Sequence, residues 1–68
     1  MITVTLLGPD NIKSVVSLSG DPTVRDVVTT KYDLFGCLVM RNGIYVSPVT
    51  TPVIVGDRLT VEEKQYRD

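Results

Sequence analysis

Apolar and polar residues alternate through Ile2-Thr3-Val4-Thr5-Leu6, the two-residue period of a strand with one face in the core and the other in water. Four turn formers follow, Gly8-Pro9-Asp10-Asn11, and they predict a chain reversal. Residues 12–18 read as a second strand, so the N-terminal segment is expected to be a hairpin. Ser19-Gly20-Asp21-Pro22 ends it. The period then changes. Thr23-Val24-Arg25-Asp26 has the form of a capping box with Asp in the place of the usual Glu. The threonine hydroxyl can accept from the Asp26 amide, and the carboxylate suits the positive end of a helix. Val24, Val27 and Val28 recur at helical spacing, with the aliphatic stem of Lys31 continuing the stripe. The pattern predicts one short helix over residues 24–32. Valine is a mediocre helix former, so packing against a sheet must hold it.

After Gly36 the period returns to that of strands. Cys37-Leu38-Val39-Met40-Arg41 precedes Asn42-Gly43, the strongest short hairpin signal, because a type I′ turn needs positive φ at both central residues. Residues 44–46 are the returning strand. Pro48 and Pro52 bracket a connection that is not a strand, since neither can donate to a ladder. A turn at Val55-Gly56-Asp57-Arg58 leads into a last strand over residues 59–63, with Leu59 and Val61 inward and Arg58, Thr60 and Glu62 outward. The order is β-β-α-β-β-β. It implies an α+β domain covering residues 1–68, a mixed sheet with one short helix across one face. Val24, Val27 and Val28 are expected to pack on Ile2, Val4, Leu6, Leu59 and Val61, and residues 64–68 to form a flexible tail.

Composition supports the strands: Val, Ile and Thr make up 24 of the 68 residues, and β-branched side chains suit a pleated sheet. A chain this short buries only about 60% of its unfolded surface, which leaves a thin stability margin. Its single cysteine excludes an intrachain disulfide. Seven basic and eight acidic residues give a net charge of −1. The basic ones are dispersed, not gathered into the stripe that neutralises phosphates, so nucleic acid is not an expected partner. No basic segment followed by an apolar core opens the chain, and no apolar run approaches the ~20 residues of a membrane helix. The expected setting is the cytoplasm, with no membrane association.

Candidate chemistry is sparse. Without histidine there is no Ser-His or Cys-His nucleophile pair. Glu62 and Glu63 are adjacent on a strand and point to opposite faces, a poor acid–base pair. The five glycines are isolated, so no loop cradles a phosphate. Cys37 at the head of an apolar strand reads as a small buried hydrophobe, and Asp26 and Asp57 read as cap and turn residues. No catalytic residue, cofactor or metal ligand is expected.

The helix opening Thr23-Val24-Arg25-Asp26-Val27-Val28, the Asn42-Gly43 hairpin and the Gly56-Asp57-Arg58-Leu59 approach to the last strand come in an order that resembles the ThiS/MoaD family, the β-grasp (ubiquitin-like) sulfur carriers of thiamine and molybdopterin biosynthesis. The resemblance runs from about residue 2 to residue 63 and implies a β-grasp fold. In that family the chain ends in Gly-Gly, whose carboxylate is adenylated and converted to a thiocarboxylate. Here the sequence closes Lys64-Gln65-Tyr66-Arg67-Asp68, and the expectation is that this chemistry is lacking. Arg41 is a second departure, standing where the family carries an apolar residue.

One stretch points to binding. Cys37 to Met40 is apolar at both alternating positions, whereas a sheet covered on one side should alternate. Either the 48–56 connection folds over the outer face or that face meets a partner. The residues expected on a partner surface are Leu38, Met40, Arg41, Tyr45, Arg58, Thr60 and Glu62, with Leu7 and residues 49–55 as extensions. The function expected is a non-catalytic protein-interaction module with an unidentified protein partner and a capacity for weak self-association. The alternatives are a degenerate or processed sulfur carrier or protein modifier, and a small dimeric DNA-binding regulator of the swapped-hairpin type.

Overall fold

Strand β1 (Ile2–Leu7) and strand β2 (Lys13–Leu18) form the N-terminal hairpin in the computed structural model, which describes residues 1–34 and 36–63. Their antiparallel register pairs Ile2 with Leu18 and Leu7 with Lys13. The reversal is closed by Gly8 and Ile12, whose backbones hydrogen-bond at 3.1 Å, and by Asn11 at φ 64°. Gly8 is needed here for room, since a side-chain carbon on it would run into the Tyr32 phenol. The tyrosine hydroxyl donates to Asp10 Oδ1 at 3.1 Å, which also accepts from the Ile12 amide.

Helix α1 spans Val24–Val28 and carries the expected capping box. Asp26 Oδ2 accepts from the Thr23 amide at 2.8 Å, and Thr23 Oγ1 accepts from the Asp26 amide at 3.4 Å. The helix is shorter than the 24–32 expected. Thr29 and Thr30 turn their hydroxyls onto the carbonyls of Arg25 and Val27 at 2.8 and 2.7 Å, bonds that compete with regular helix. The Thr30 and Lys31 amides bond three residues back instead of four, the tighter geometry of a helix end. Lys31 is consequently exposed, and Tyr32 packs against the core where the lysine stem was expected to.

Strands β3 (Cys37–Arg41), β4 (Ile44–Tyr45) and β5 (Arg58–Glu63) complete one sheet in the order β2-β1-β5-β3-β4. Asn42 and Gly43, at φ 53° and 86°, make the predicted β3–β4 turn. β5 lies parallel to β1 and antiparallel to β3, so the sheet is mixed. Its inner face contributes Val4, Leu6, Val16, Val39, Leu59 and Val61, which meet Val24, Val27 and Val28 from α1. Ile2 packs at the margin of this core, and Val16, Val39 and Val53 join the residues expected in it.

Residues 48–56 run along the helix side. The Val24 and Arg25 amides, left free by the first helical turn, donate to the carbonyls of Thr51 and Pro48 at 2.9 Å. Val53 enters the core at 3% exposure, and its amide donates to the carbonyl of Pro22. The tail expected at 64–68 lies outside the described residues.

Candidate interaction face

Alternation along each strand divides the sheet into a face under the helix and an open face. The buried residues Val4, Leu6, Val16, Val39, Leu59 and Val61 mark the first. Their neighbours Thr3, Thr5 and Leu7 (β1), Lys13, Val15 and Ser17 (β2), Leu38 and Met40 (β3), and Arg58, Thr60 and Glu62 (β5) therefore stand on the second. Tyr45 pairs with Met40 and shares its side. The registers align one row across all five strands: Lys13, Leu7, Thr60, Met40 and Tyr45. On one side of this row lies Arg58, opposite Thr5. On the other lies Glu62, opposite Leu38.

The Tyr45 hydroxyl donates to Glu62 Oε2 at 2.8 Å. Because β3 separates β4 from β5, this bond bridges the Leu38–Met40 side of β3. The hydrogen bond to the glutamate, with its negative charge and some desolvation, raises the tyrosine pKa above its ordinary value. Where β4 ends, Leu38, Tyr45, Val46 and Pro48 border a shallow groove of about 320 Å³. Asn42, Gly43, Arg58 and Thr60 line a second recess of about 350 Å³ at the other end of β3 and β5.

Of the seven residues expected on a partner surface, Leu38, Met40, Tyr45, Arg58, Thr60 and Glu62 share the open face. Arg41 does not. It stands two residues from Val39, on the helix side, and its guanidinium clasps Asp57 with Nε–Oδ2 at 2.8 Å and Nη2–Oδ1 at 3.3 Å. Arg41 thereby neutralises a buried carboxylate. Residues 49–55 do not extend the strip either, because the backbone bonds of this segment tie it to α1. For the same reason the connection does not cover the outer face of β3. Leu7 does extend the strip. Lys13 stands in the same row, and it could be found only from the β1–β2 register.

Asp57 is 3% exposed and fixes this end of the fold. Besides Arg41 it accepts from Asn42 Nδ2 at 3.3 Å and from the Ile54 amide at 2.9 Å. Burial alone would raise its pKa, but the hydrogen bonds from Arg41, Ile54 and Asn42 outweigh that and hold it below the ordinary carboxylate value. Asn42 also clamps the next residue, accepting from the Arg58 amide at 2.9 Å and donating its own amide to the Arg58 carbonyl at 2.8 Å. Cys37 is half-buried against the core. Among the described residues no three His, Cys, Asp or Glu side chains gather as a metal site would require, and no helix is long and apolar enough to cross a membrane.

No model of a known protein family matches the chain, and no curated protein matches it in sequence. A solved structure matches it in fold. The NMR solution structure of a computationally designed protein based on the template of human erythrocytic ubiquitin superimposes with a TM-score of 0.66. It is 17% identical, and the match covers 100% of this chain and 98% of the designed one. A likeness at that identity concerns the fold alone, and together with the topology it establishes a ubiquitin-like β-grasp architecture.

Proposed function

We propose that this chain is a non-catalytic, cytoplasmic protein-interaction module that engages a protein partner through the open face of its sheet. The observation that supports the reading most is the row of Leu7, Thr60 and Met40, with Leu38 39% exposed beside it, on a face that neither α1 nor the 48–56 connection overlies. Apolar surface is worth roughly 25 cal/mol per Å² when hidden, so a strip of a few hundred Å² offers several kcal/mol toward association. That is enough to offset only part of the roughly 4–15 kcal/mol cost of immobilising a partner. The polar groups Arg58, Glu62 and Lys13 supply orientation at the rim.

The test compares wild type with a Leu38→Lys/Met40→Lys variant as bait in extracts of the native host, with captured proteins identified by mass spectrometry. Both substitutions lie on the open face, so the melting temperature should hold. A protein retained by wild type and lost with the variant is the expected result. Capture of the same set by both baits overturns the reading.

Kinship with the ThiS/MoaD sulfur carriers is a second reading, at the level of ancestry. It is favoured by the way two of the motif segments build one unit, with Asn42 bonded to both Asp57 and Arg58. A neighbouring gene for an activating enzyme is expected under it, and gene neighbourhoods without one count against it.

A further inference from the structure

The open face carries opposite charges on one strand. Arg58, Thr60 and Glu62 all point outward from β5, and Arg58 and Glu62 are four residues apart, about 13 Å at strand rise. Thr60 stands midway, in the row with Leu7 and Met40. Such a strand is complementary to its own reverse. If a second copy is laid face to face with its β5 antiparallel, on a two-fold axis along the central row, each Arg58 meets the other copy's Glu62. Leu7 and Met40 then meet their own equivalents.

The shape of the face fits the same operation. Leu38 pairs with Glu62, so the two-fold carries it to the Arg58 end of the second copy. The recess of about 350 Å³ between Asn42, Gly43, Arg58 and Thr60 lies at that end. A leucine 39% exposed thus falls opposite a hollow. The parallel alternative, with the axis along the strands, would set Arg58 against Arg58 and Glu62 against Glu62. Charge therefore selects one arrangement. Lys13 meets its own copy only at the edge of the sheet, where twist and a long side chain carry the ammonium into water.

Resting on the reading of the open face as a protein-binding surface, we infer that one partner of this face is a second copy of the chain, docked antiparallel with reciprocal Arg58–Glu62 pairs. Five strands at about 4.8 Å and four residues of rise give a contact on the order of 300 Å² per copy. This is well below the ~800 Å² per partner of stable complexes. The dimer is therefore weak, forming near millimolar concentration, and salt loosens it.

Charge reversal tests the pairing. By sedimentation equilibrium, wild type should shift from monomer toward dimer as its concentration rises to about a millimolar, and Arg58→Glu and Glu62→Arg should each remain monomeric there. Mixed, these two variants should associate again at least as well as wild type, since one then presents two acids and the other two bases at matching places. Circular dichroism melts check that both stay folded. Wild type that stays monomeric, single reversals that dimerise undiminished, or a mixture that fails to associate each overturns the inference. A monomeric wild type that still captures a host protein through Leu38 and Met40 removes the second copy and leaves the binding reading standing. Loss of that capture as well removes both.

Discussion

Asp57 is a carboxylate taken almost out of water, with donors from two loops and one strand arranged around it. Truncation to alanine removes the four hydrogen bonds that Arg41, Asn42 and the Ile54 amide donate to the carboxylate, each worth about 0.5–1.5 kcal/mol net and less where water can replace it. Asp57→Ala should therefore lower stability by roughly 2 kcal/mol in denaturant titration. The pH dependence follows from the lowered pKa. The unfolded chain binds the proton more readily, so the stabilisation is present above the ordinary carboxylate value of 3.8. It is lost as pH falls below that value through the folded one. Wild type should lose stability in this acid window, and Asp57→Asn should show a shallower loss there. Equal slopes would mean that the site carries no linkage. Sequence reading placed Asp57 in a turn and no more. Its main partner, Arg41, lies sixteen residues away, and only the β3–β5 register brings them together. Gly8 is similar: it reads as a turn former, while its constraint is the phenol of Tyr32, from the far end of the helical segment.

Elements were more legible than residues, because capping and turn chemistry are local. The Thr23–Asp26 box and the Asn42–Gly43 turn form as read, and β3 spans the predicted residues. What local pattern did not give was the helix end: past the valine stripe the Thr30 hydroxyl takes the Val27 carbonyl, which a regular helix would give to the Lys31 amide, and that amide bonds Val28 instead. A helix of five residues cannot stand alone. Its stability lies in three fully buried valines, each at 0% exposure, and in the cap. Thr23→Ala should cost about 1 kcal/mol. Val27→Asp places an unpaired charge in the core, a penalty of several kcal/mol against a total margin near 5. That variant should show no cooperative melt by circular dichroism, whereas Arg25→Asp, on the exposed side of the same helix, should melt cooperatively. A cooperative transition in Val27→Asp would mean that the helix does not lie on the sheet as described. The outer face of β3 was the remaining ambiguity, since Cys37 to Met40 is apolar throughout. Val39 at 2% and Leu38 at 39% exposure decide it.

At the scale of the whole molecule the last strand made holds the sheet together. β5 sits between β1 and β3, so without it the β1–β2 and β3–β4 hairpins share no ladder. Alternation in the sequence gives the inward side of β5, Leu59 and Val61. It does not give the neighbours of β5, because pairing the strand nearest the C-terminus in parallel with the first is a non-local event that no short window encodes. The open-face row is invisible for the same reason: Lys13, Leu7, Thr60, Met40 and Tyr45 become neighbours only once every register is set. This topology also dictates how the domain opens. Leu59→Ala removes a side chain 1% exposed at the centre of the core and should cost about 2–5 kcal/mol, most of the ~5 kcal/mol available to a small domain. Because the two hairpins share a ladder only through β5, and β1, β3 and β5 bury one common core, the loss should not stay in that strand. In native-state hydrogen exchange of the variant, under stabilising conditions, amides of β1, β3 and β5 should lose protection together and by equal free energies. Amides at the short β4 edge, which a ladder of two residue pairs holds, should change little. If β1 keeps its protection while β5 exchanges freely, the N-terminal hairpin is stable without the central strand, and the sheet is not the single cooperative unit its strand order implies.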